Sequence, residues 1–114
     1  MKDDRARALL SAERTRVQAL LGDTVAAGQE DRAAANEPGD LADPSERLTA
    51  EQADDAISGG FRERLAAISR AERRLDVGTF GYSIRSGLPI PDDRLEADPA
   101  AELTMEEAGH GAGQ

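Results

Sequence analysis

Four oxygen-bearing side chains stand in two short pairs, Ser83-x-x-Ser86 and Thr104-x-x-Glu107, with 17 residues between the pairs. This is the layout of a four-cysteine zinc knuckle, yet the chain contains no cysteine. Hydroxyls bind zinc weakly, and a hard cation wants several carboxylates, so three hydroxyls and one carboxylate make a poor metal site. Ser and Thr oxygens instead accept from nearby backbone N–H groups and cap turns. Turn chemistry is therefore the expectation for these four positions, with no metal and no cofactor. The missing cysteines also exclude disulfides and thiolate catalysis.

The remaining polar groups offer little for catalysis. Asp54-Asp55 and Asp92-Asp93 are adjacent carboxylates, but neighbours in sequence do not face one another on a helix. No apolar pocket is legible around them to move their pKa values. His110, the one histidine, lies in a Gly-rich tail with nothing nearby to orient its ring. No enzymatic activity is expected. Two clusters suit binding instead. Asp40, Asp43 and Glu46 form an acidic run that reads either as a solvated, capping turn or as a contact surface. Arg70, Arg73 and Arg74 either meet the carbonyl end of a helix or dock on an acidic partner.

The elements that must position these groups are helical. From about Asp3 to Ala26 the set Ala6, Leu9, Leu10, Val17, Leu20, Leu21 and Val25 recurs at three- and four-residue intervals, an amphipathic helix. A second such pattern runs from about Ser45 to Leu75 through Leu48, Ala53, Ile57, Phe61, Leu65 and Ile68. Two helices with one apolar stripe each hide them most economically against each other, as an antiparallel hairpin. Glu37-Pro38-Gly39-Asp40 signals the turn between them, and Asp43-Pro44-Ser45-Glu46 reads as a helix start with Asp43 as N-cap. Gly59-Gly60 is expected to weaken or kink the second helix. Asp76-Val77-Gly78 ends it. Thr79–Pro91 is expected to be a small β-hairpin or loop anchored by Phe80, Tyr82, Ile84, Leu88 and Ile90, with Ile84, Leu88, Ile90 and Leu103 packing on the helix end. Short helical turns follow near Pro91–Ala97 and Leu103–Ala108, and Gly109–Gln114 is expected to be disordered. The expected fold is thus all-α, with a hairpin over residues 1–77, an acidic tip near 37–48, and a small terminal module over 78–108.

Composition agrees with this layout. Aromatic residues make up 3% of the 114, so burial must come from aliphatic and Ala stripes. The net charge of −9 is concentrated between residues 23 and 60, which carry two basic and ten acidic groups. Such a surface repels nucleic acid, whose binding depends on Lys and Arg replacing counterions. A basic protein groove suits it better. No apolar run approaches the roughly 18 residues of a membrane span, and no signal peptide opens the chain, so a cytoplasmic protein off the membrane is expected.

The run Gly78-Thr79-Phe80-Gly81, followed by Gly87-Leu88-Pro89-Ile90-Pro91-Asp92-Asp93-Arg94-Leu95-Glu96-Ala97-Asp98-Pro99, resembles the DksA/TraR regulators of bacterial RNA polymerase. Members of that family place zinc-ligating cysteines where this chain has Ser83, Ser86, Thr104 and Glu107. The resemblance implies a coiled-coil hairpin that enters the secondary channel of RNA polymerase, with acidic tip residues near the active site. The family tip Asp-Pro-x-Asp-x-Ala corresponds to Asp43-Pro44-Ser45-Glu46-Arg47-Leu48, with Asp40 an equally placed carboxylate. It further implies a zinc-free terminal module and a polymerase contact that includes Arg70, Arg73 and Arg74. An alternative keeps the helices and drops the polymerase: an adaptor whose apolar stripe pairs with another protein or with itself.

Overall fold

A computed structural model of the chain describes the backbone of residues 1–35 and 44–112, and side chains over residues 1–29 and 55–109. Four helices follow in order among the described residues: α1 Asp3–Ala35, α2 Pro44–Val77, α3 Asp92–Ala97 and α4 Met105–Ala112. Among the described residues there is no strand, only one isolated antiparallel bridge between Tyr82 and Pro89. The first helix runs nine residues past the expected end, because its Ala-rich continuation keeps high helix propensity where apolar periodicity fades. Gly59 and Gly60 leave α2 unbroken.

The chain divides into two compact units, one of residues 1–15 with 66–114, the other of residues 16–65. In the first, α1 buries Ala6 and Leu10 while α2 buries Ile68, Ala71 and Leu75. These are the three- and four-residue spacings of facing helical seams. Polar links fix the direction. Arg7 bonds Asp76 at 2.9 Å, and seven residues further along α1, Arg14 bonds Ser69 at 2.9 Å and pairs with Glu72. Partners thus descend α2 as α1 ascends, which is the antiparallel pairing expected. The second unit buries Val17 from α1 and Ser58 from α2, and Gly28 is buried in it as well.

The end of α2 follows from one residue. Gly78 takes a φ of +80°, the left-handed region that glycine enters without steric cost. Its N–H then reaches the Leu75 carbonyl at 3.3 Å while the Thr79 N–H reaches that of Arg74 at 2.8 Å, the two bonds of a Schellman cap. The chain reverses over residues 81–90 in a narrow tongue, closed by Ile90 N–H to Gly81 O and Ser83 N–H to Leu88 O, both 2.8 Å. Beneath it Ile90, Leu95 and Ala101 form a small core, with Met1 and Phe80 packed against it.

The tongue departs from expectation in one respect. Ile84 and Leu88 do not pack on the helix end; they are 60% and 58% exposed, and Tyr82 is 51% exposed. Successive residues of an extended segment point to opposite faces, so burying Ser83 turns Tyr82 and Ile84 outward. Near the other end of the chain, α4 continues through Gly109 to Ala112, where a disordered tail was expected. Its capped start, described below, supports those turns.

Candidate functional site

Ser83 anchors the terminal module. Its hydroxyl donates to Glu107 Oε2 at 3.0 Å and accepts from the N–H groups of Arg85 and Ser86 at 3.1 and 3.2 Å. One donor and two acceptor positions are all a hydroxyl has, so this one is fully used. It is buried, 4% exposed. Ser86 Oγ in turn accepts from Leu88 N–H at 3.3 Å. Across the module, Thr104 and Glu107 bond reciprocally. The Thr104 hydroxyl accepts from Glu107 N–H, and Glu107 Oε1 accepts from Thr104 N–H, each at 3.2 Å. This is a capping box at the start of α4, with Thr104 as N-cap.

The Glu107 carboxylate therefore joins both pairs. Partial burial would raise its pKa, but hydrogen bonds from Ser83, from the amide and hydroxyl of Thr104 and from Ser86 together hold it below the ordinary value of 4.5. The four positions that the sequence singled out converge on one anion, which neighbouring dipoles satisfy. The tongue is tied to the following segment a second time by Ile84 N–H to Glu102 O at 2.9 Å. Among the described residues no three His, Cys, Asp or Glu side chains cluster to hold a metal ion.

The arginines separate. Arg73 is exposed on α2. Arg70 makes a two-pronged bond to Glu102, at 2.9 Å to Oε1 and 3.3 Å to Oε2. Arg74 turns inward, its side chain only 13% exposed, and reaches Glu102 Oε2 with Nη1 at a long 3.5 Å. Its Nη2 is buried without a hydrogen-bond partner among the described residues. Burial depresses the Arg74 pKa, and Glu102 opposes that effect only in part. A cavity of about 410 Å³ adjoins it, lined by Arg74, Thr79, Tyr82, Ser83 and Ile84 among others. Sequence reasoning missed Glu102, the acid that organises Arg70 and Arg74, because nothing in its local spacing marks it. The Thr104-x-x-Glu107 box, by contrast, carries the ordinary sequence signature of a helix start.

Of the acidic run, Asp40 and Asp43 lie outside the described residues, as does the side chain of Glu46. His110 belongs to α4, but its side chain too lies outside them.

Comparison with known proteins adds the following. No protein-family model matches the chain. It is 35% identical over 66 residues to General stress protein 16O of Bacillus subtilis (strain 168), a match covering 58% of this chain. The chain spans about two fifths, 40%, of the length of that relative. Among solved structures it is similar to transcription factor DksA2 from Pseudomonas aeruginosa, with a TM-score of 0.80 and 26% identity. That superposition covers 96% of this chain and 82% of the other. A likeness of this extent gives this chain a DksA-like fold.

Proposed function

We propose that this protein is a DksA/TraR-like transcription regulator that binds RNA polymerase, with its acidic tip in the secondary channel, and whose terminal module is held without zinc. The observation that carries the reading is the likeness to DksA2 along 96% of the chain. The Gly78-Thr79-Phe80-Gly81 run and the Pro89-Ile90-Pro91-Asp92-Asp93-Arg94-Leu95-Glu96-Ala97 run, which resemble the same family, support it. Asp43 and Glu46, with Asp40 beside them, are the tip carboxylates, and the excess of acid between residues 23 and 60 suits a positively lined channel. Arg70 and Arg73 face the polymerase from the other end of α2. The protein acts in the cytoplasm, reads no promoter sequence and catalyses no reaction.

The zinc-free module rests on the closed network of Ser83, Ser86, Thr104 and Glu107. A thiolate site takes much of its folding energy from the metal, on the order of 10 kcal/mol in small domains. Here the same positions are joined by hydrogen bonds of 3.0 to 3.2 Å.

The test is a binding and transcription assay with purified polymerase. Wild-type protein should bind, lose affinity as salt rises, and be displaced by Gre-type factors that use the same channel. The double variant Asp43→Ala/Glu46→Ala should lose its effect on transcription. Equal recovery and equal transcription for both proteins would remove the tip assignment. Binding that Gre-type factors leave untouched would favour an adaptor instead. Protein purified without chelator should carry no stoichiometric zinc and melt at the same temperature with or without EDTA.

A further inference from the structure

The buried end of Arg74 is chemically incomplete. Among the described residues Glu102 is the acid that Arg74 reaches, and Arg70 already holds both of its oxygens. Arg74 is left with a 3.5 Å contact through Nη1 and nothing at all on Nη2. A guanidinium has five N–H donors and no acceptor, and leaving one buried without a partner is costly. Such unpaired buried groups are rare in protein interiors, and each calls for an explanation, of which a bound molecule is one.

A site for that partner lies alongside. The adjacent cavity, about 410 Å³, falls within the size range of small-molecule sites. Its walls are mostly apolar, with Tyr82 and Ile84 beside the backbone of Gly78 and Gly87. Both side chains are half exposed or more, so the chain itself leaves this apolar surface uncovered. Apolar walls with a single cationic group at one end select a ligand of matching form, an apolar body ending in an anion. Planar guanidinium and planar carboxylate match in geometry as well as charge.

We propose that this cavity binds a small apolar carboxylate, its hydrocarbon body against Tyr82 and Ile84 and its carboxylate on the Arg74 guanidinium. A turn of the side-chain end brings Nη2 from its sealed position onto the carboxylate, so the unpaired donor gains an acceptor. Binding couples the end of α2 to the tongue, since Arg74 belongs to the first and Tyr82 to the second. The site is independent of the polymerase reading and stands or falls without it.

Tyr82 is the chain's one tyrosine, and there is no tryptophan, so intrinsic fluorescence reports on this cavity alone. Octanoate, titrated below its micelle concentration, should change that fluorescence saturably and shift the amide resonances of Gly78 and Gly87. Octanol, with the same body and no charge, should bind at least tenfold more weakly, and acetate should not register. Arg74→Met should remove the preference, leaving octanoate no better than octanol. If Arg74→Met fails to fold, Ile84→Glu decides: it alters an exposed side chain, should keep the wild-type melting temperature, and should weaken octanoate binding at least tenfold. The proposal is overturned if wild-type protein gives no saturable response or answers octanol as strongly as octanoate. It is overturned equally if Arg74→Met keeps the carboxylate preference or Ile84→Glu keeps full affinity.

Discussion

A single hydroxyl organises the terminal module. Ser83 takes two backbone N–H groups and gives its proton to Glu107, so Ser83→Ala strands two amides beside a buried methyl. The expected loss is about 1–3 kcal/mol, and Thr104→Ala, which removes a cap, should lose about 1 kcal/mol. Urea midpoints at neutral pH measure both. Glu107 adds a pH dependence whose sign is fixed by its lowered pKa. Because the folded chain holds this carboxylate below its ordinary 4.5, the unfolded chain binds the proton more readily. The stabilisation is complete above that value and fades as the pH falls through the folded one. Glu107→Gln keeps the shape and removes the titration. Its urea midpoint should fall less than that of the wild type as the pH drops below 4.5, with the remaining slope carried by groups such as Glu96, which Arg5 also holds low. Identical acid limbs for the two proteins would show that Glu107 is not part of the network.

At the scale of the elements, both long helices were legible in the sequence because each presents an apolar seam at three- and four-residue spacing. Ala6, Leu10 and Val17, and likewise Ile68 and Leu75, are indeed buried. The α2 end was legible too, since Gly78 stands where a Schellman cap needs a left-handed residue. The end of α1 was not, because propensity rather than periodicity carries the helix through its last turns. The tongue was legible only as a turn. Which of its alternating residues face inward depends on Ser83 finding Glu107, 24 positions away, and no local pattern records that pairing. Gly59 and Gly60 remain the weak points of α2. A methyl at either would meet nothing within 4 Å, so Gly59→Ala and Gly60→Ala should each stabilise by about 0.5–1 kcal/mol. A rise in melting temperature for each variant, additive in the pair to first order, is the expected readout.

For the molecule as a whole, the important feature is that its first unit is assembled from both ends of the sequence. Arg5 grips Glu96 with two bonds of 2.7 and 3.0 Å across 91 positions. Both groups are exposed, so the pair marks register more than it contributes stability. The binding force lies in the core beneath. Leu95 is 1% exposed in the cluster with Ile90 and Ala101, against which Met1 packs. Leu95→Ala should therefore cost about 2–5 kcal/mol. The loss should appear as faster amide exchange in the first turns of α1, Ala6 to Leu10, as much as in the tongue itself. Exchange that rises only around residue 95 would show the two parts to be uncoupled. The same discontinuity orders events on the ribosome. Residues 1–15 leave the ribosome before the segments that cover them, which from Ala66 onward follow only after fifty more have been added. In proteins most helical stability comes from tertiary packing, and contacts between distant segments form slowly. The first turns of α1 are thus left waiting while those fifty residues are made, and a nascent-chain crosslink from Leu10 to Ile68 should form only once residue 68 has left the ribosome.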